Sequence, residues 1–220
     1  MADQMKTYFQ AAVFALLVFL IGVMIGIWLD NYRLSDIRSS LSEADINWND
    51  ARLLDSYFKV LGKDYCNISL QQNLAYNDKI YSEGSDIENK IENNGFVFTP
   101  DIEQEWRRYN LLQVQFWLNS LDLKNECNFT YHNVVYLSRM EDKEKGSVDN
   151  KVQSLVMLEL KNKCGNKIML IPLSTDVNLM VVDSIVKQFN ITKYPAVIVD
   201  EKTVFQGPTS LETLQKLVGC

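Results

Sequence analysis

Residues 8–29 form one uninterrupted apolar run, YFQAAVFALLVFLIGVMIGIWL, in which Gln10 is the one polar side chain. At a rise of about 1.5 Å per residue, a helix of this length crosses a hydrocarbon core of about 30 Å. The run therefore reads as a transmembrane helix with the lipid membrane as its partner. Tyr8, Trp28 and Tyr32 stand at its two ends, where amphipathic rings prefer the headgroup level. A cleaved signal peptide would have a shorter apolar region, about 7–15 residues, followed by a small-x-small site. The stretch Gly26-Ile27-Trp28-Leu29-Asp30-Asn31-Tyr32 offers no such site, which favours an uncleaved signal anchor. Gly22 and Gly26 put two small residues on one helical face, a spacing that lets helices pack closely as a homodimer, although glycine is common in membrane helices in any case.

The flanking charges orient the chain weakly. Lys6 and the α-amine precede the run, Arg33 and Arg38 follow it, and the positive-inside rule leans slightly toward a cytoplasmic C-terminus. Against this stand three Asn-x-Ser/Thr sequons, at Asn67, Asn128 and Asn190, and four cysteines, Cys66, Cys127, Cys164 and Cys220, that can all be paired. Residues 34–220 are accordingly expected outside the cytoplasm, with Asn67 and Asn128 as glycosylation candidates and Asn190 assigned to a helix end. The net charge of -6 and the lack of a basic run with interleaved aromatics argue against nucleic acid as a partner. The cysteine spacing matches neither a zinc ribbon nor Cys-x-x-Cys, so no metal and no cofactor are expected. His132, the sole histidine, has no second His or acidic cluster near it in sequence and reads as a solvent-facing strand residue without chemistry.

Beyond the anchor (residues 1–33) a helical region is expected over 34–126. Leu34, Ile37, Leu41, Ala44, Trp48, Ala51 and Phe58 follow alternating three-four spacing, which extends the anchor into a juxtamembrane helix. Asp55 interrupts that stripe, which favours packing against neighbouring helices over an extended coiled coil. A second helix is read over residues 69–92, with Leu70, Leu74, Asn77 and Tyr81 on one side and Ile80, Ile87 and Ile91 widening the apolar surface. The turn Asn93-Asn94-Gly95 ends it. A third starts with Thr99 as N-cap and Pro100 at the first helical position, then runs through Ile102, Trp106, Tyr109, Leu112, Phe116 and Leu121. The pair makes an antiparallel hairpin, which brings Cys66, before the second helix, near Cys127, after the third. They are candidates for a disulfide, the alternative being two unpaired small hydrophobes.

The pattern changes in the last region, residues 127–220. Val134 to Leu137 is a buried-strand run, 148–163 a helix, and 168–173 a second apolar strand, together a β-α-β unit with parallel strands. A helix over 178–190, a tight hairpin from strands 196–199 and 203–205, and a last helix capped by Thr209 with Glu212 complete the order β-α-β-α-β-β-α. The expected fold class is α/β.

This order, with the segment Phe189-Asn190-Ile191-Thr192-Lys193-Tyr194-Pro195-Ala196-Val197-Ile198-Val199, resembles the thioredoxin-like superfamily. Over residues 131–220 it is similar to membrane-anchored thioredoxin-like proteins of archaea. The resemblance implies that Pro195 matches the family's cis-proline and that Tyr194, Pro195 and Ala196 line a binding face. The family's Cys-x-x-Cys sits at the start of the first helix of this unit, where the helix N-terminus stabilises a thiolate. Counted back from Lys151-Val152-Gln153, its two positions fall on Ser147 and Asn150, so the dithiol is missing. A serine without a neighbouring base does not replace it. Residues 139–145 are long and charged for an active-site approach and read as a solvated loop. The resemblance also puts Cys164 and Cys220 at helix ends on the same side, where a second disulfide can form.

The implied function is a non-enzymatic, membrane-tethered module that binds a protein or peptide through the proline-bounded face and its adjacent strand edge. Two other classes remain open at this point. One is a thiol-disulfide oxidoreductase or isomerase working through a relocated cysteine. The other is a structural envelope or assembly component held by its Gly-x-x-x-Gly helix.

Overall fold

A computed structural model describes residues 2–61, 65–93, 100–139 and 146–220. The chain divides into two compact units, Met1–Ser40 and Leu41–Cys220. The first is part of helix α1 (Ala2–Leu61). Among the described residues one segment, Tyr8–Leu29 of α1, is long and apolar enough to cross a membrane, and none of it is buried. Helix α1 continues without a break beyond the apolar run, but the side chains of Leu34, Ile37, Leu41, Ala44, Trp48, Ala51, Asp55 and Phe58 lie outside the described ones.

The second unit opens with α2 (Tyr65–Asn93) and α3 (Pro100–Cys127). Pro100 takes the first helical position, where a missing N–H removes no hydrogen bond. Thr99 and the Asn94-Gly95 turn lie outside the described residues. Helix α2 starts earlier than the spacing suggests. Cys66 therefore lies in its first turn and Cys127 is the last residue of α3, and neither flanks its helix. The two are bonded, with Cα atoms 5.5 Å apart, and Tyr65 donates to Glu126 Oε2 at 3.0 Å beside them. Closing a loop of 61 residues contributes about 4 kcal/mol in the chain-entropy account.

The rest alternates strands and helices: β1 (His132–Ser138), α4 (Gly146–Cys164), a 3-10 turn, β2 (Ile168–Ser174), α5 (Met180–Gln188), β3 (Ala196–Val199), β4 (Thr203–Gln206) and α6 (Leu211–Val218). The four strands form a mixed sheet in the order β2-β1-β3-β4. Strands β1 and β2 are parallel from His132↔Ile168 to Ser138↔Ser174, while β3 runs antiparallel to β1 with Leu137 opposite Ala196. Central β1 is buried on both faces, which is why it reads as an apolar run and not as an alternating one. On one face Val134, Tyr136, Leu170, Val197 and Val199 pack with Met157 and Leu160 of α4 and Leu214 and Val218 of α6. On the other, alternate residues meet the α2/α3 pair, where the buried rings of Tyr76 and Phe116 stand 5.7 Å apart between centroids.

Strand β2 is an edge, and side chains close it. Asn77 of α2, fully buried, donates Nδ2–H to the Leu170 carbonyl at 2.9 Å and accepts from Leu170 N–H at 3.4 Å, the two bonds a neighbouring strand would make. Asn110 Oδ1 accepts from Ser174 N–H at 2.7 Å, Lys161 Nζ donates to the Ile168 carbonyl at 3.3 Å, and Pro172 has no N–H to satisfy. An edge so capped cannot recruit another chain. Asn77 is thus no part of an apolar stripe, as its spacing suggests; its amide stands in for a backbone.

Helix ends also follow local chemistry. Asn128 and Asn190 both adopt positive φ just past α3 and α5, the left-handed C-terminal position that asparagine tolerates. The Asn190 turn is closed by Ile191 N–H to the Val186 carbonyl at 2.9 Å. Helix α6 is capped by Ser210, whose Oγ accepts from Thr213 N–H at 3.3 Å. Thr209, the expected cap, lies one residue outside and accepts none of the first-turn N–H bonds; its own N–H donates to Gln153 Oε1 at 2.6 Å.

Candidate functional site

The antiparallel register of β1 and β3 carries the C-terminal end of β1 to the start of β3, so Arg139 and Tyr194-Pro195-Ala196 come together. The Tyr194–Pro195 peptide bond is cis. Pro195 and Ala196 are buried, and the Pro195 carbonyl accepts from Gly207 N–H at 2.7 Å. Tyr194 is half-buried, with the Arg139 guanidinium 4.3 Å above its ring centroid, a cation–π contact.

Helix α4 faces this corner with its N-terminal end. It begins at Gly146, two residues ahead of the expected start, which puts Ser147 and Asn150 inside its opening turns, where Asp149 complements the helix dipole. The Ser147 side chain lies outside the described ones, as do residues 140–145 of the charged loop. Asn150 is buried and structural: Nδ2–H donates to the Arg139 carbonyl at 2.9 Å, and the Asn150 carbonyl accepts from Tyr136 O–H at 2.8 Å. The amide at position 150 thereby ties the end of β1 to α4.

The outward side of α4 is apolar. Val148, Val152 and Leu155 follow i, i+4, i+7 spacing and are 60%, 51% and 65% exposed, with Leu158 at their flank. Helix α4 buries Met157, Leu160 and Cys164 on its other side, so the exposed row is apolar surface that the core does not use. The four cysteines hold no free thiol: Cys164 is bonded to Cys220 as Cys66 is to Cys127. Asn67 and Asn128 are both exposed and each directly follows a cysteine of the first disulfide. Around Gly22 and Gly26 there is open space; a Cβ on either meets no atom within 4 Å.

No protein-family model and no curated protein matches the chain.

At the opposite end of the sheet the structure assembles a polar cluster that sequence spacing hides. The β3–β4 turn holds Asp200 and Glu201, both at positive φ. Asp200 accepts from Lys124 Nζ at 2.7 Å and from Asn133 N–H at 3.1 Å, and its other oxygen meets His132 Nδ1 at 2.5 Å. His132 is therefore half-buried and hydrogen-bonded, where a solvent-facing strand residue was expected. Burial alone would raise the Asp200 carboxyl, and the hydrogen bonds and charges of Lys124 and His132 outweigh it, so the group sits below the ordinary carboxylate range. Burial pushes Glu201 up, the nearby Asp200 charge adds to this, and the Trp117 Nε1–H bond at 2.6 Å only partly opposes it. Burial also raises the Tyr131 phenol, which donates to the Ser120 carbonyl at 2.6 Å. These groups join α3, β1 and the turn, and the cluster fixes the hairpin. Among the described residues no group of three His, Cys, Asp or Glu side chains is arranged to hold a metal.

Proposed function

We propose that the chain is a membrane-anchored, redox-inactive thioredoxin-like module that binds a protein or peptide segment at the corner formed by Tyr194, Pro195 and the first half of α4. The observation that carries this reading is the exposed apolar row Val148, Val152 and Leu155, which starts beside the Ser147 and Asn150 positions and continues along α4. A row of aliphatic side chains on a surface helix loses hydration favourably when an apolar segment covers it, at roughly 25 cal/mol per Å².

The thioredoxin-like part of the reading is supported by the element order from β1 to α6, by the parallel β1/β2 pair, and by a proline at the start of β3 next to the end of β1. Redox inactivity is supported by the residues at 147 and 150 and by the use of Asn150 as a structural tie. With all four cysteines bonded, a relocated-cysteine oxidoreductase needs one of the two disulfides to open and close during turnover. Main-chain pairing, if the partner uses it, falls to the β4 side, because the β2 edge is filled by Asn77, Asn110 and Lys161. Location at the membrane is supported by Tyr8–Leu29, and an extracytoplasmic orientation by the paired cysteines.

The test compares the wild-type full-length chain with a Val152→Asp, Leu155→Asp double variant after in-membrane cross-linking and recovery. The wild type retains a discrete partner that the variant loses, while both show no free thiol and no reduction of a model disulfide. Equal recovery by both, or turnover of the model disulfide, contradicts the proposal.

A further inference from the structure

The asparagines of the three Asn-x-Ser/Thr sequons, Asn67, Asn128 and Asn190, are all exposed. Transfer of a sugar to such a site needs two side chains together, the asparagine amide and the hydroxyl two residues on. The fold treats that hydroxyl differently in each case. Asn67 and Ser69 both lie in α2, where side chains two residues apart point about 200° away from each other round the helix. Asn67 is accordingly exposed while Ser69 is only 3% exposed. In the Asn190 sequon the hydroxyl is engaged. Thr192 Oγ1–H donates to Gln206 Oε1 at 3.0 Å, the same oxygen accepts from Thr192 N–H at 2.8 Å, and Gln206 Nε2–H donates to the Asn190 carbonyl at 3.1 Å. Ile191 between them is buried, so this sequon is folded into the corner between α5 and β3.

Asn128-Phe129-Thr130 differs on both counts. It lies between α3 and β1, so no helical phase sets its two polar side chains apart, and Asn128 and Thr130 are both exposed. The backbone beneath them is held by the left-handed conformation of Asn128, by Phe129 N–H to the Lys124 carbonyl at 3.2 Å, and by the adjoining Cys66–Cys127 disulfide. A bulky hydrophilic group on Asn128 therefore extends into solvent without displacing core residues. We infer that Asn128 is an N-glycosylation site in the folded chain and that Asn67 and Asn190 carry no sugar, the donor being an oligosaccharide linked to a polyprenyl diphosphate. The transfer forms a bond between Asn128 Nδ2 and C1 of the first sugar and breaks the bond from that carbon to the diphosphate, which leaves with the lipid. The proton that the amide loses goes to solvent. This site is separate from the α4 corner and stands whether or not that corner binds a partner; the two readings share only the extracytoplasmic placement of this unit.

The experiment is glycopeptide mass analysis of the full-length chain recovered from its native membranes. Sugar should be found on the peptide that carries Asn128 and on neither of those that carry Asn67 and Asn190. Asn128→Gln should lose it, and so should Thr130→Ala, which keeps the asparagine that the positive φ favours and removes only the hydroxyl. Thr130→Ser should retain it. An unmodified Asn128, sugar that survives in Thr130→Ala, or sugar on Asn67 or Asn190 in the wild type each overturns the inference. Because positions 128 and 130 are exposed, these substitutions leave the fold intact, which retention of both native disulfides in peptide mapping verifies.

Discussion

Single side chains decide how the sheet ends and how its turn is held, and these are the features that spacing along the chain conceals. Asn77 looks like one more position on an amphipathic helix, yet its amide lies 93 residues from the Leu170 backbone it completes. Replacing it by leucine leaves the Leu170 N–H and C=O buried without partners, so Asn77→Leu should cost about 2–3 kcal/mol. Denaturant unfolding of the detergent-solubilised chain measures this, and an unchanged midpoint would remove the edge-capping account. His132 is opaque in sequence for the same reason, since Asp200 lies 68 residues away. At the same turn Asp200 and Glu201 respond to pH with opposite signs. Asp200 is lowered, so its contribution is present above the ordinary carboxylate value and is lost as pH falls through its depressed folded value. Glu201 is raised, so the folded chain holds that proton more tightly, and the associated stability is lost as pH rises through the raised value. Glu201→Gln keeps an oxygen for Trp117 and removes the charge. Its stability relative to the wild type should therefore grow as pH is raised from about 4 to about 7, read as the difference in thermal midpoints; a constant offset at every pH would contradict the assignment.

At the scale of elements, the sequence was informative wherever one period ran long enough to be counted. The apolar run of β1, the amphipathic α3 and the alternation of strands and helices after Tyr131 come out close to their expected places, because burial of a continuous face imposes period and length together. Helix starts came out less well. Helices α2 and α4 both begin before their apolar pattern does, since the first turn is set by capping, a disulfide or a tie to a neighbour, as Cys66 and Asn150 illustrate. The candidate corner was legible in Pro195 and in the residues at 147 and 150, whereas the spacing within 148–163 does not tell the exposed apolar row of α4 from the buried one. Under the thioredoxin-like proposal the early start of α4 matters, because it places positions 147 and 150, spaced i, i+3, within the opening turns of the helix. In a Ser147→Cys, Asn150→Cys variant the helix N-terminus should bring the first thiol below the unperturbed value of about 8.5, and the pair should close reversibly to a disulfide. Thiol titration and mass analysis follow both. A pair that never closes would contradict the proposed thioredoxin-like assignment of these two positions.

For the molecule as a whole, the account joins an apolar helix fit to span a membrane to a unit whose sheet is closed on one edge and whose α4 is left apolar outside. Orientation is open to direct assay: protease added to intact cells should remove residues 34–220, and full protection would reverse the extracytoplasmic placement. The central claim is that the outer face of α4 is occupied by another polypeptide. It is tested most directly by a photoactivatable residue placed in the full-length chain in native membranes, at position 152 in one sample and at exposed Lys167 in another. The account predicts a discrete cross-linked species from position 152 and none from position 167. Equal cross-linking from the two positions, or none from position 152, would contradict it.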